Sequence, residues 1–328
     1  MANAEEVDSY MRRALALAAA VHGSTSPNPA VGCVVVTGDG SVFEGATQPP
    51  GGPHAEVVAL TQAGSQAHAA TLFTTLEPCS HTGRTGPCTQ AIIDAGVAHV
   101  VIGVADPDHH VNGAGIAALR AAGIDVTTGV LEAEVAYQLR HYLVHRRTGL
   151  PFVTLKMACT LDGKIAASDG SSQWITGLAA RRDSHQLRAD HDAVVVGAGT
   201  VRADNPALTV RHVQGRDPLR VVLGTASPEA AIHPCVELSG AIPDVLQHLA
   251  ERHVTSVLVE GGGHVASAFH DAGLVNEYVL YVAPALMGGH GAQGVLPATK
   301  TSTIDLLRRG RFVSTEMLGD DLKVVMQL

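Results

Sequence analysis

Apolar and polar residues alternate along the first half of the chain in the way that is typical of an α/β protein. Apolar residues recur with helical spacing over residues 7–22, and a Val-rich run over residues 30–36, bounded by Pro29 and Gly38, predicts a buried strand. The further predicted elements are helices over 54–63, 87–95, 115–122 and 131–147 and strands over 71–75, 97–104 and 125–128. This order predicts a sheet layered between helices.

The pattern is interrupted near the middle of the chain. Residues 148–151 read Thr-Gly-Leu-Pro, which ends the last predicted helix, and a new apolar strand begins at Phe152. A length of 328 residues also exceeds what one hydrophobic core usually supports, so we predict two domains, residues 1–148 and 149–328. In the second domain we predict strands over 152–158, 193–197, 219–223, 256–260 and 276–282 and helices over 179–189, 243–253 and 264–272.

Charge and composition narrow the classes of partner. The chain carries 31 acidic and 22 basic residues, a formal net charge of −9, and has no Lys/Arg run long enough to follow a line of phosphates. We therefore expect no nucleic-acid partner. The segment 7–21 is too short and too charged for a signal peptide or a membrane span, so we expect a cytoplasmic protein without a membrane partner. Five cysteines, an odd number, favour free thiols and metal ligation over disulfides.

Four residues of the first domain form a pattern typical of a catalytic zinc site. His54 and Glu56 open the second predicted helix, and Cys79 and Cys88 lie around the start of the third. One His and two Cys can bind Zn²⁺ and leave its fourth position for water, whose pKa the metal lowers towards neutrality. Glu56 is not needed as a ligand and can carry protons, as the glutamate of zinc deaminases does. We predict one Zn²⁺ per chain and hydrolytic deamination.

Other interpretations of these residues are open. A single buried Cys or a capping His is common in any protein, and a structural zinc site would need a fourth ligand, for which His81 is the nearby candidate. A deaminase acting on bases in nucleic acid would share the zinc ligands, but it would need a basic surface, which the net charge of −9 opposes. The order His-x-Glu, Pro-Cys, Cys favours the catalytic site.

Longer motifs in both domains resemble one enzyme family. They are residues 26–33, 53–56, 77–88 and 106–115 in the first domain and residues 156–164, 171–176, 197–211 and 259–263 in the second. These segments are similar to those of the bifunctional riboflavin-biosynthesis enzymes RibD (RibG). The resemblance implies a three-layer α/β/α cytidine-deaminase-like domain followed by a dihydrofolate-reductase-like α/β domain.

The same resemblance implies two reactions and a small-molecule substrate, a pyrimidine ribosylamine phosphate. The first is zinc-dependent hydrolytic deamination of 2,5-diamino-6-ribosylamino-4(3H)-pyrimidinone 5′-phosphate, and the second is NADPH-dependent reduction of the ribosyl group to a ribityl chain. In the deaminase domain, Asn28 would contact the pyrimidine, and His81 and Arg84 would contact polar groups or the phosphate. An amide suits a pyrimidinone edge, and a guanidinium matches phosphate geometry.

In the reductase domain the resemblance implies two groups of contacts. NADPH would contact Ala158, Trp174, Thr200, Asp204, Thr225, Gly262, Gly263, His264, Val265, Ala266, Ser267 and Ala268. Substrate would contact Ser172, Arg188, Leu208, Arg211 and Glu260. The glycines at 261–263, between a predicted strand and a predicted helix, would let a phosphate approach backbone amides at the helix N-terminus. The two arginines are expected to bind the substrate phosphate.

The chain departs from general patterns at three places. Eight residues separate Cys79 from Cys88, whereas two are usual in zinc deaminases, and this insert favours the riboflavin family. A His expected in the loop before the zinc histidine is replaced by Thr47 or Gln48. The segment between residues 225 and 242 is shorter than expected, which leaves the alternative of a deaminase whose second domain is a non-catalytic binding or oligomerisation module. In either case we expect a homo-oligomer, a dimer or larger.

Overall fold

A computed structural model of the chain describes residues 3–81, 86–108 and 111–328. The chain forms two compact units, Met1–Gly149 and Leu150–Leu328. The division predicted between residues 148 and 149 lies one residue from the observed one. None of the helices described in these ranges combines the length and the apolar character needed to cross a membrane.

The first unit is a five-stranded sheet flanked by helices. Its strands are β1 (Gly32–Val36), β2 (Val42–Ala46), β3 (Thr71–Leu76), β4 (His99–Val104) and β5 (Asp125–Thr128). Its helices are α1 (Ala4–Ala20), α2 (Ala55–Ala63), α3 (Cys88–Asp94), α4 (Ala114–Ala121), α5 (Glu132–Gln138) and α6 (Arg140–Thr148), with a short 3-10 turn at Gly64–Ala67. The strand order is β2-β1-β3-β4-β5, in which β1 is antiparallel to both neighbours and β3, β4 and β5 are parallel. The carboxyl ends of the parallel strands therefore share one edge.

Two glycines bring helices of this unit close to the sheet. A Cβ on Gly32 would lie 1.9 Å from the carbonyl oxygen of Ala14, so only glycine lets α1 pack on β1 at this distance. A Cβ on Gly45 would lie 2.2 Å from the carbonyl oxygen of Ala55, in the first turn of α2. Gly45 thus sets the position of the N-terminus of α2.

The prediction of one helix over residues 131–147 is wrong. The chain forms α5 and α6 with a break at Leu139, whose backbone leaves the helical region. Val135, Leu139 and Leu143 lie in the same hydrophobic core at a spacing of four residues, and the N–H groups of Leu139 and Leu143 still donate to the carbonyls four residues earlier. The two helices therefore keep one apolar face, and the pattern of apolar residues does not reveal the break between them.

The second unit contains an eight-stranded sheet and a two-stranded one. Its strands are β6 (Phe152–Thr160), β7 (Lys164–Ala166), β8 (Ala193–Gly197), β9 (Leu219–Leu223), β10 (Val236–Leu238), β11 (Ser256–Val259), β12 (Glu277–Ala283), β13 (Gln293–Gly294), β14 (Arg311–Leu318) and β15 (Asp321–Gln327). Its helices are α7 (Leu178–Asp190), α8 (Ala198–Asp204), α9 (Ile242–Glu251) and α10 (Gly263–Ala272), with a 3-10 turn at Ile304–Leu306.

The large sheet has the order β10-β9-β8-β11-β6-β12-β15-β14, and β7 pairs with β13. Its first six strands are parallel, and β15 and β14 add an antiparallel edge. The carboxyl ends of β8, β9 and β11 meet at one edge of the sheet, where ligands usually bind in open α/β sheets.

Several strands of the second unit were not predicted. The hairpin of β14 and β15 has little apolar alternation on β14, which is exposed along most of its length. The short segment between β9 and α9 retains a strand, because β10 pairs with β9 in parallel. The shortened segment therefore still extends the sheet.

Candidate active sites

Three predicted metal ligands converge in the first unit. His54 is the N-cap residue of α2, Cys88 is the first residue of α3, and Cys79 lies in the loop that follows β3. The His54 Nδ1 atom is 3.2 Å from the Cys88 Sγ and 3.6 Å from the Cys79 Sγ, and the three ligand atoms lie within 4.8 Å of one another. Tetrahedral Zn²⁺ with these ligands would separate the atoms by about 3.5–3.8 Å. The donor set and its spacing therefore fit zinc.

Backbone hydrogen bonds hold the two cysteines together. The Cys88 N–H donates to the Cys79 Sγ at 3.4 Å, and the Thr89 N–H donates to the Cys79 carbonyl at 3.1 Å. The hydrogen bond from the Cys88 thiol, followed by that from His54, lowers the pKa of Cys79 to about 4. The same contact and burial raise the pKa of Cys88, because one thiol of the pair keeps its proton in the protein without metal.

Glu56 lies beside these ligands in the first turn of α2 and is only 4% exposed. Burial raises its pKa to about 7, with a smaller contribution from the negative charge of Cys79. A buried carboxyl group beside the metal ligands can both accept a proton from water and donate it to a leaving group. Among the described residues the metal-binding group contains His54, Cys79 and Cys88 but not His81. Within the part of the chain that the structure describes, this is the three-ligand arrangement of a catalytic site, without the fourth protein ligand that a structural site has.

A pocket of about 140 Å³ is lined by Glu56 and by two of the predicted zinc ligands, His54 and Cys79. Asn28 and His81, two of the predicted substrate contacts, line it, whereas Arg84 lies outside the described residues. The loop of Asn28 is closed by hydrogen bonds from its N–H to the Thr25 carbonyl at 2.9 Å and from the Thr25 hydroxyl to the Asn28 carbonyl at 3.1 Å.

Thr47 is the residue that reaches this pocket from the loop where a His was expected. It is buried, and its hydroxyl accepts a hydrogen bond from the Val31 N–H at 3.1 Å. Gln48 is exposed, and its side-chain amide donates to the Ala46 carbonyl at 3.2 Å. A short hydroxyl bound to the backbone therefore replaces a ring at this point of the pocket wall.

Sequence reasoning missed the acidic residues of the pocket wall. Glu77 is buried, and its carboxylate accepts hydrogen bonds from the N–H groups of Asp106 at 3.1 Å, Gly113 at 3.2 Å and Ile116 at 3.1 Å. These bonds attach the loop after β4 and the start of α4 to the loop that carries Cys79. The available signal was its position, since Glu77 directly follows a buried strand and precedes the Pro-Cys pair.

Two further pairs of residues complete this wall, and they join the loop after β4 to α6. The Tyr142 hydroxyl donates to Asp106 Oδ2 at 2.9 Å, and Arg146 Nε lies 3.3 Å from Asp108 Oδ2. The guanidinium of Arg146 also lies over the Tyr142 ring, 5.1 Å from its centroid. Burial raises the pKa of Asp106 and of Tyr142. Asp106 and Asp108 lie in the 106–115 motif, but their partners Tyr142 and Arg146 lie in none of the motifs and far from the zinc ligands in the sequence.

In the second unit, the predicted cofactor residues gather at the carboxyl edge of the parallel strands. The Gly262 N–H donates to the Thr200 hydroxyl of α8 at 2.7 Å, and the Gly197 N–H donates to the Gly261 carbonyl at 3.1 Å. These bonds join the turn after β11 to the turn after β8. Thr225 follows β9 at the same edge and is exposed.

The other predicted cofactor contacts lie around this turn. Asp204 ends α8 and accepts a hydrogen bond from the Gln173 side chain at 3.3 Å, and Gln173 precedes Trp174. Trp174 is 71% exposed, so it is not a core residue. Ala158 is half-buried in β6, and Gly263 through Ala268 form the start of α10, where the Ser267 hydroxyl donates to the Gly263 carbonyl at 2.8 Å.

Two of the predicted substrate contacts form a buried ion pair. Arg188 Nη2 donates to Glu260 Oε2 at 2.9 Å, its Nε donates to Oε1 at 2.5 Å, and its Nη1 donates to the Thr209 carbonyl at 3.2 Å. Lys156 Nζ, which was not predicted, lies 3.7 Å from the same carboxylate. Burial alone would raise the pKa of Glu260, but the charges of Arg188 and Lys156 outweigh it and lower the pKa to about 2. Glu260 is therefore ionised at every physiological pH.

The remaining predicted substrate contacts lie near this pair or in the loop before Trp174. Leu208 is buried beside Thr209, and the exposed Arg211 donates its backbone N–H to the Nδ1 of His185 at 3.2 Å. Ser172 is half-buried in the loop before Trp174. Burial and the charge of Arg188 lower the pKa of His185 to about 4.

Comparison with known proteins gives matches over both units. Residues 151–324 match the family described as RibD C-terminal domain, and residues 4–104 match the cytidine and deoxycytidylate deaminase zinc-binding region. The riboflavin biosynthesis protein RibD of Mycobacterium tuberculosis is 44% identical over 97% of this chain and 96% of its own length, and that of Escherichia coli K12 is 40% identical over 85% and 88%.

Two solved structures match nearly the full length. RibD of Acinetobacter baumannii is 35% identical with a TM-score of 0.91, and a diaminohydroxyphosphoribosylaminopyrimidine deaminase/5-amino-6-(5-phosphoribosylamino)uracil reductase from Thermotoga maritima is 36% identical with a TM-score of 0.89. Both comparisons cover 99% of each chain. The predicted fold of both domains is confirmed, and the non-catalytic alternative for the second is not favoured. The chain belongs to the RibD family of riboflavin biosynthesis proteins, which join a zinc-dependent deaminase to a reductase.

Proposed function

We propose that the first unit removes the 2-amino group of 2,5-diamino-6-ribosylamino-4(3H)-pyrimidinone 5′-phosphate and that the second reduces the ribosyl group of the product with NADPH. The observation that carries this proposal is the pocket in which His54, Cys79 and Cys88 lie within 4.8 Å of one another beside the buried Glu56. The family membership gives the reaction pair, and the pocket supplies the groups that the first reaction needs.

In the deaminase, the three ligands would hold Zn²⁺, which supplies Lewis acidity and lowers the pKa of water when bound. Glu56 takes a proton from the attacking water and passes it to the departing amine, so that ammonia leaves as a neutral molecule. Asn28 pairs with the pyrimidinone edge, and Thr47, whose hydroxyl is bound to the backbone, forms another part of the pocket wall. Because these groups lie on the pocket wall, substrate binding displaces water from around the carboxyl group of Glu56.

In the reductase, NADPH supplies hydride to C1′ of the opened ribosyl chain. The turn at Gly262 and the first N–H groups of α10 offer donors to a cofactor phosphate, and Thr200 holds the turn through its hydroxyl. Glu260 and Arg188 form a fixed polar floor for the sugar, with Lys156 beside it. Arg211 lies in the exposed segment next to this floor and provides a cation for the substrate phosphate.

The test measures both activities on one sample. Purified protein is analysed for zinc, for ammonia release from the diaminopyrimidinone substrate and for NADPH oxidation with the deaminated product. We expect about one zinc per chain and turnover in both assays. Removal of zinc with a chelator should abolish ammonia release while NADPH oxidation with the deaminated product continues. Ammonia release by metal-free protein, or no NADPH oxidation by the holoenzyme, would contradict the proposal.

We also propose a homo-oligomer, a dimer or larger, located in the cytoplasm. The antiparallel edge of the large sheet exposes apolar side chains, with Phe312 73% and Met317 61% exposed, and such surfaces are usually covered by a partner. All five cysteines are free thiols, as is usual in a reducing compartment. Light scattering coupled to gel filtration tests the assembly, and a monomer at micromolar concentration would contradict it.

A further inference from the structure

The described lining of the deaminase pocket is mainly acidic, although the proposed substrate carries a negatively charged phosphate. Its described lining contains four carboxylates, those of Glu56, Glu77, Asp106 and Asp108. Arg146 is the one Lys or Arg among the described lining residues. A phosphate monoester carries close to two negative charges at neutral pH, so its entry into an acidic pocket needs a cationic partner.

Hydrogen bonds and an ion pair within the protein offset much of the negative charge of these carboxylates. Glu77 accepts three backbone N–H groups, and Asp106 accepts the Tyr142 hydroxyl at 2.9 Å and the Asp108 N–H at 2.9 Å. Asp108 lies 3.3 Å from the Arg146 Nε. The carboxylates on this side of the pocket are therefore bound to donors of the protein, which reduces their repulsion of a phosphate.

Arg146 is held in place before substrate arrives. It lies on α6, whose Tyr142 and Leu143 are buried in the core, and its guanidinium lies over the Tyr142 ring. The ion pair with Asp108 uses Nε, which leaves the two terminal nitrogens outside that ion pair, and 36% of the side chain is exposed. A guanidinium fixed in this way loses little freedom when its terminal N–H groups bind two phosphate oxygens.

We propose that Arg146 is a substrate-binding residue of the deaminase that takes the 5′-phosphate through its terminal guanidinium nitrogens. This inference rests on the proposed function, because it assumes a phosphorylated pyrimidine. Asp108 and Tyr142 orient the arginine, and α6 adds a rigid contact to the loop residues that family resemblance implies. The deaminase consequently discriminates between the 5′-phosphate and the corresponding unphosphorylated ribosylamine.

The experiment compares Arg146→Met with Arg147→Met in the full-length zinc-loaded protein. Arg147 is the matched control because it is exposed on the same helix and is not among the pocket-lining residues. Ammonia release is measured with the phosphorylated substrate and with the same compound after phosphatase treatment. For the phosphorylated substrate, Arg146→Met should raise KM on the order of 10- to 100-fold, the loss expected for charge-assisted hydrogen bonds, and leave kcat within about threefold. Arg146→Lys keeps the positive charge but lacks the paired N–H donors of the guanidinium, so its KM for the phosphorylated substrate should lie between those of the wild type and Arg146→Met.

For the unphosphorylated substrate, Arg146→Met and the wild type should have the same kcat/KM. An unchanged KM for the phosphorylated substrate, or an equal loss with both substrates, would overturn the assignment, the second because it indicates a structural role. Zinc content and melting temperature show whether each variant folds. If Arg146→Met does not fold, the same comparison is made with Arg146→Lys. If the wild type releases no ammonia, the proposed function fails on its own account. In that case the affinity for ribose 5-phosphate is measured by calorimetric titration. If Arg146 binds the phosphate, Arg146→Met should bind ribose 5-phosphate more weakly than Arg147→Met does, and equal affinities would overturn the assignment.

Discussion

Replacement of Glu56 by Gln tests the central role assigned to the deaminase pocket. Gln has nearly the same shape as Glu, so the N-terminus of α2 and the zinc ligand His54 should keep their positions. It cannot transfer protons. Glu77 accepts backbone N–H groups, Asp106 accepts the Tyr142 hydroxyl, and Asp108 is paired with Arg146, so each of the other described carboxylates of the pocket is already bound to a donor.

The expected loss follows from the two proton transfers that Glu56 performs. General acid–base catalysis contributes about 10²- to 10⁴-fold, so Glu56→Gln should lower kcat for ammonia release by about 10³-fold, or about 4 kcal/mol in activation free energy. Zinc content should stay at about one per chain. NADPH oxidation with the deaminated product, measured on the same sample, should not change, since the second unit is intact.

Glu132→Gln is the control, because Glu132 lies in the first turn of α5 and is not among the pocket-lining residues. It should retain both activities. If Glu56→Gln released ammonia at more than about a tenth of the wild-type rate, another group would have to carry the proton. If it lost zinc as well, the loss of activity would reflect the metal site and not proton transfer.

Three further predictions concern the two sites. Cys88→Ser should lose zinc and ammonia release while NADPH oxidation persists, and stoichiometric zinc in this variant would show that the ligand is misassigned. Arg188→Met should lower the free energy of unfolding of the second unit by about 3–5 kcal/mol in urea titrations, because it leaves the carboxylate of Glu260 buried without its main partner; a loss below about 1 kcal/mol would contradict a tightly coupled pair. The pKa of His185 is lowered from 6.5 to about 4, so the unfolded chain takes up its proton at a higher pH than the folded chain. Stability should therefore fall as pH drops from about 6.5 to about 4, and His185→Asn should weaken this dependence, which urea titrations across that range would reveal. An identical pH dependence in wild type and variant would refute the assignment to His185.

The alternatives left open by the sequence are narrowed by specific contacts. The described metal-binding group has three ligands and leaves out His81, which is the arrangement of a catalytic site. The short segment before α9 keeps β10 in the parallel sheet, and the C-terminal family match extends over residues 151–324. The second unit therefore belongs to the RibD reductase domains, and the alternative of a non-catalytic module is not favoured.

The sequence by itself determined the alternation of helices and strands, the zinc ligands and the family. These features are local: a helix or a buried strand is visible in a run of residues, and His54, Glu56, Cys79 and Cys88 keep a characteristic order. The 131–147 stretch shows the limit of such reasoning, because the apolar spacing continues through Leu139, where the backbone leaves the helical region.

Tertiary structure decided which distant residues share a site. Asp108 and Arg146 are separated by three elements of secondary structure, α4, β5 and α5, yet they form one ion pair at the zinc pocket. Arg188 and Glu260 were predicted separately as substrate contacts, and only the fold shows that they bind each other with Lys156 beside them. Such pairs depend on strand order and helix packing, which bring together residues that no local spacing relates.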